Sequence, residues 1–118
     1  MNVHARNLIK NCTIFAFLYS GITNVAFAGG TQTGRITLLT IRASDGLVLV
    51  ELDGGASGKP ACAHYSYWIL KDETSLTGKQ QLAVLVAAKV TGQTVAISGT
   101  GSCTRWPDGE NIDTIQVQ

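Results

Sequence analysis

The uncharged stretch from residue 11 to residue 28 constrains this 118-residue chain more than any other feature, because it decides how much of the chain folds and with how many cysteines. His4, Arg6 and Lys10 form a basic start before it. Its apolar weight lies in residues 14–19 (IFAFLY), and it ends in Ala26-Phe27-Ala28, with small residues at the two positions that a signal peptidase reads. The stretch is about long enough to span a membrane, but Asn11, Thr13, Ser20, Gly21, Thr23 and Asn24 interrupt it and argue against a permanent anchor. Residues 1–28 are therefore expected to be a cleaved signal peptide, with a retained anchor as the alternative. Cys12 precedes the apolar run rather than the cleavage point, so a lipid-modified N-terminal cysteine is not expected. The destination is secreted or periplasmic.

Cleavage after Ala28 leaves residues 29–118 as a single domain, and the loss of Arg6 and Lys10 leaves seven Lys and Arg against eight Asp and Glu. The basic balance of the full chain belongs to the leader. No basic patch remains for nucleic acid or an anionic membrane surface, and no stable membrane anchor is expected after cleavage. A domain of this size buries one modest core and gains from a covalent staple. Only Cys62 and Cys103 remain, and an even pair in an exported protein favours a disulfide. Two separate buried thiols, or a metal pair lacking its other ligands, are the alternatives.

Along the domain, residues 29–33 are small and polar and read as a loose N-terminus. Residues 35–42 (RITLLTIR) and 47–52 (LVLVEL) are β-branched and apolar, and Asp45-Gly46 between them supplies the turn of a hairpin. Residues 53–60 (DGGASGKP) read as a loop. Residues 61–70 are a third strand candidate with large groups on both faces, as a strand curled in a small barrel requires. The one helix is expected over residues 78–90, with Thr77 as N-cap, Gln80 at the capping-box spacing and Gly92 at the C-cap. Leu82, Leu85, Val86 and Lys89 lie toward one face of it. Residues 94–98 and 112–117 complete the set as strands, with a long loop over 99–111. Five short strands and one helix between the third and fourth give the element order of an OB-fold, a five-stranded mainly β barrel. A small β-sandwich is the alternative.

Three stretches carry a family resemblance: Lys59-Pro60-Ala61-Cys62-Ala63, the helix end running into residues 91–97 (TGQTVAI), and Ser102-Cys103. Together they resemble the B subunit of subtilase cytotoxin and related small secreted bacterial proteins. The resemblance implies an OB-fold with a Cys62–Cys103 disulfide, and a pentameric ring that binds sialylated glycans and carries an enzymatic A subunit. The toxin subunits read sugar with a Tyr/Ser/Asp-rich segment leading into the first strand. Here that place holds residues 30–35 (GTQTGR), without tyrosine or acid, so the resemblance does not carry the glycan site over.

Candidate site residues come instead from residues 99–110 (GTGSCTRWPDGE). Arg105 and Trp106 stand on a loop that Cys103 is expected to pin, and Asp108 follows two residues on. A pinned tryptophan suits sugar stacking or protein anchoring, unless it folds inward to plug the barrel end. His64 is the only histidine of the domain and has no Gly-x-Ser-x-Gly or His-Glu-x-x-His context, so it reads as structural. Asp108, Glu110 and Asp113 lack EF-hand spacing and read as a solvated turn. The expected protein is a non-enzymatic binding module without a metal or other cofactor, glycan-binding or toxin-subunit-like, with a homo-oligomer implied by the resemblance. A protein-interaction factor such as an enzyme inhibitor is the alternative.

Overall fold

The computed structural model describes residues 29–118, so the signal peptide expected at 1–28 lies outside the described residues. Six strands and one helix follow in the order β1 (Thr31–Ile41), β2 (Val48–Leu52), β3 (Ala56–Ser57), β4 (Trp68–Ile69), α1 (Leu76–Thr91), β5 (Thr94–Gly99) and β6 (Glu110–Val117). β1 pairs antiparallel with β2 and with β5, β2 with β4, and β5 with β6, while β4 and β6 run parallel. The pairings return to β1 and close a five-stranded barrel, as the OB-fold reading expects and a two-sheet sandwich would not. β3 adds a two-residue strip to the outer side of β1.

The closure depends on one irregularity. Residues 31–36 alternate strictly between outside and inside, placing Gln32, Gly34 and Ile36 inward. The register then slips between Ile36 and Leu38, a bulge that bends β1 from the β5 side of the barrel to the β2 side. The bulge frees the carbonyls of Ile36 and Thr37, and Lys89 from the last turn of α1 donates to both at 3.0 Å. The core gathers Ile36, Val50, Leu52, Trp68, Val95, Ile97 and Ile112 from the strands, with Leu85 and Ala88 of α1 closing over them.

Three local readings need correction. Residues 31–33 are strand rather than loose terminus, because Gln32 is buried and accepts the Trp68 indole N–H at 2.6 Å. The third strand shrinks to Trp68–Ile69, since residues 61–67 turn under the disulfide and leave His64, Tyr65 and Ser66 exposed. The helix starts earlier: Ser75, not Thr77, is the N-cap and accepts from the Gly78 N–H at 3.0 Å. Its inward line is then Gly78, Leu85 and Ala88, while Val86 faces out and Lys89 reaches back to β1. Gly92 holds the left-handed C-cap at φ 69°, where any side chain would be strained.

Candidate functional site

Three connections meet at one end of the barrel: the β1–β2 turn (residues 42–47), the β3–β4 loop (58–67) and the β5–β6 loop (100–109). The first and last are the two loops that, with the second and third barrel strands, form the usual ligand face of an OB-fold. The Cys62–Cys103 disulfide, with Cα atoms 6.1 Å apart, ties the second connection to the third. Asn111 organises the β5–β6 loop from below. Buried at the start of β6, it donates from Nδ2 to Thr104 Oγ1 at 2.6 Å and accepts from the Arg105 N–H at 3.2 Å.

At the loop tip, residues 106–109 (WPDG) form a tight turn, with the Gly109 N–H donating to the Trp106 carbonyl. Proline in the second position presets the backbone for such a turn. The turn presents Trp106 half-buried beside the β1–β2 turn, where the Arg42 guanidinium sits 4.4 Å from its ring centroid. Trp106 is therefore not a barrel plug. That position belongs to Trp68, which is fully buried.

Asp108 faces the second connection and accepts the Tyr67 hydroxyl hydrogen. Tyr67 stacks in turn on Tyr65, with centroids 5.4 Å apart and planes within 11°. Burial first, then the bond to Asp108 and its charge, push the Tyr67 hydroxyl up to about 12, with the Trp106 indole N–H opposing. Tyr65, Tyr67 and Trp106 so form a surface strip of aromatic rings, with Asp108 in its middle and Arg42 at one end. Tyr65 is the most open part, at 58% exposed.

Arg105 stands next to the strip, but its guanidinium turns away. Nε and Nη2 grip the Glu73 carboxylate at 2.5–3.1 Å, and Nη2 also donates to the Asp45 carbonyl at 3.0 Å. This clasp joins three loops and holds the Glu73 carboxyl below the usual carboxylate range. Asp45 is held down mainly by Arg42, which donates to it from Nε and Nη2 at 2.8 and 2.5 Å. Of the sequence candidates, Trp106 and Asp108 line the strip directly and Arg105 fixes the loop that carries them. Tyr65, Tyr67 and Arg42 were missed as site residues. The turn signal in residues 106–109 and the cysteine beside residues 63–67 were the available clues to them.

The three acidic residues near the C-terminus diverge. Asp108 goes to Tyr67, Glu110 is buried in the core, and Asp113 is exposed beside Gln81, which donates to its carbonyl at 2.8 Å. Glu110 thus corrects the expectation of a solvated turn at that position. Among the described residues no group of three His, Cys, Asp or Glu is arranged to hold a metal ion. No described helix is long and apolar enough to cross a membrane. A shallow cleft of about 320 Å3 lies elsewhere, lined by Asp72, Ser75, Gln81 and Asp113 among others. Ser75 there caps α1 and Asp72 bonds Thr74, and the cleft gathers no aromatic ring. No family model, curated protein or solved structure matches this chain, so the site rests on its own geometry.

Proposed function

We propose that the protein is a non-enzymatic binding module, secreted or periplasmic, that takes a saccharide on the strip formed by Tyr65, Tyr67 and Trp106. The carrying observation is the junction of three aromatic rings with Asp108 and Arg42 across the two OB ligand loops and the β3–β4 loop tied to them. Flat apolar rings stack on the C–H faces of sugar rings. An acid and a guanidinium beside them supply an acceptor and donors for ring hydroxyls. The Asp108 Oδ1 is engaged by Tyr67, which leaves its second oxygen for a ligand hydroxyl. His64, the one histidine of residues 29–118, is exposed, and no side-chain nucleophile or acid is bonded to it among the described residues, which supports binding over hydrolysis.

The resemblance to toxin B subunits extends this reading to a ring of identical chains carrying an enzymatic partner. Leu76, Val86 and Val90 place apolar side chains in solvent along α1 and are the surface that a second copy would cover. The sugar end of the proposal is tested on a glycan array with exported, processed protein. Binding is expected to weaken at least ~10-fold in Trp106→Ala, about 1.4 kcal/mol, with the thermal midpoint within a few degrees of the parent. A clean array together with a monomeric mass in solution overturns it. If a pull-down then returns one stoichiometric protein, the same strip is an inhibitor's contact surface.

A further inference from the structure

Glu110 is the one acidic or basic residue buried among the described residues. Its side chain is fully buried at the head of β6, and a buried carboxylate without partners is expensive. Oε1 is well served: it accepts the backbone N–H groups of Gly30 and Gly101, each at 2.9 Å. Oε2 is equally buried and has no hydrogen-bond partner among the described residues.

Lys59 does not fill the gap. Its ammonium donates to the carbonyls of Ser66 and Tyr67 at 3.2 and 3.0 Å and stands 4.0 Å from the Trp68 ring centroid. It feels the Glu110 charge, but burial is the larger influence on it, and the two make no ion pair within 4 Å. The start of the domain lies against the carboxylate, beside Gly99. A Cβ on Gly29 would lie 2.7 Å from Oε1, and one on Gly30 would lie 2.8 Å from Oε2. The Gly29 nitrogen, one bond from that Cα, is thereby held within about 5 Å of the carboxylate.

We infer that the Gly29 ammonium created by cleavage after Ala28 pairs with Glu110 Oε2, so that removal of the leader completes the core. The inference rests on the export reading of residues 1–28. Before cleavage the Gly29 nitrogen is a neutral amide with one N–H. A signal peptidase adds water across the Ala28–Gly29 bond. The oxygen stays with the departing Ala28 carboxylate, and the amine keeps the second hydrogen and takes up the proton that the acid releases. The new terminus brings one positive charge and three donors to a buried oxygen that lacks any. Glycine at 29 and 30 is what allows the approach, since a side chain at 29 would run into the Gly99 carbonyl and the carboxylate, and one at 30 into Lys59 and the carboxylate.

The test uses the full precursor, exported and purified, with its intact mass measured first. The mass is expected to begin at Gly29. Acetylating that α-amine, or placing one alanine ahead of Gly29, is expected to lower the thermal midpoint by about 5–10 °C at pH 7. In Glu110→Gln the same two changes are expected to cost under about 2 °C. The free α-amine, which faces Glu110 and Lys59, is expected to titrate above its ordinary ~7.8. Equal losses in both backgrounds, or an amine titrating at the ordinary value, overturn the pairing. Should Glu110→Gln fail to fold, the amine titration and the one-residue extension decide on their own. A mature terminus other than Gly29 overturns the cleavage point along with the pairing. A Gly29 terminus with an ordinary amine overturns the pairing alone.

Discussion

Tyr67 joins the packing of the loops to the chemistry of the strip. Its ring lies under Tyr65 and its hydroxyl is committed to Asp108, so ionising it costs both burial and a hydrogen bond. The folded state therefore holds the Tyr67 proton to about 12, against about 10 for an unfolded tyrosine. A group whose proton is bound more tightly in the fold stabilises it fully below the unfolded value, and that contribution is lost as pH rises from about 10 through 12. Residues 29–118 hold two tyrosines, so absorbance of that domain at the phenolate band is expected to rise in two separated steps, the later one absent in Tyr67→Phe. One merged step near 10 in the parent would count against the Asp108 bond. At neutral pH Tyr67→Phe is expected to cost about 1 kcal/mol, the net worth of one part-buried hydrogen bond. Glu110, Asn111 and Gln32 make the complementary point. Each is a polar residue that a sequence places on the surface, and each is buried because it partners groups that the fold brings to it: a backbone N–H 80 residues away for Glu110, the Trp68 indole for Gln32, and the β5–β6 loop for Asn111.

At the level of elements, the hairpin, the C-cap glycine and the order of strands were legible because each rests on a local rule. Asp45-Gly46 needs a positive φ and has one at Gly46, 76°, and β-branched runs on either side pair across it. The shortened β4 was not legible. Residues 61–70 have the composition of a strand, but the disulfide and the approach of the β5–β6 loop set where pairing begins. The bulge in β1 was equally hidden, since nothing in residues 35–42 marks it and its carbonyls are satisfied from α1. That long-range satisfaction is testable. Lys89→Met keeps the aliphatic stem and removes both donors from the bulge carbonyls, and it also removes a cation from the helix C-terminus. It is expected to cost about 1–2 kcal/mol in denaturant unfolding, with amide exchange accelerating first around residues 36–38. A variant as stable as the parent would show that water serves those carbonyls equally well.

For the whole molecule, the disulfide and the candidate site are one construction. The barrel closes through its own ladders, but nothing in those ladders fixes the 58–67 loop against the 100–109 loop. The Cys62–Cys103 bond does that, and the Tyr67–Asp108 contact forms across the same pair of loops. The bond encloses 41 residues of sequence separation, for which the chain-entropy model gives roughly 4 kcal/mol. For a domain of this size that corresponds to a fall of about 20 °C in thermal midpoint. Reduced and alkylated protein, or the Cys62→Ala/Cys103→Ala pair, is therefore expected to melt near that much lower. Below the new midpoint the barrel is expected to keep its far-ultraviolet circular dichroism, while the Tyr67 hydroxyl returns toward the ordinary tyrosine value as its hold on Asp108 loosens. Saccharide affinity should fall with it, because the strip is built across the two loops that the bond joins. Should the reduced protein melt within a few degrees of the oxidised form, the loops are held by the Arg105–Glu73 clasp and Asn111 instead, and the cysteines are incidental to the site.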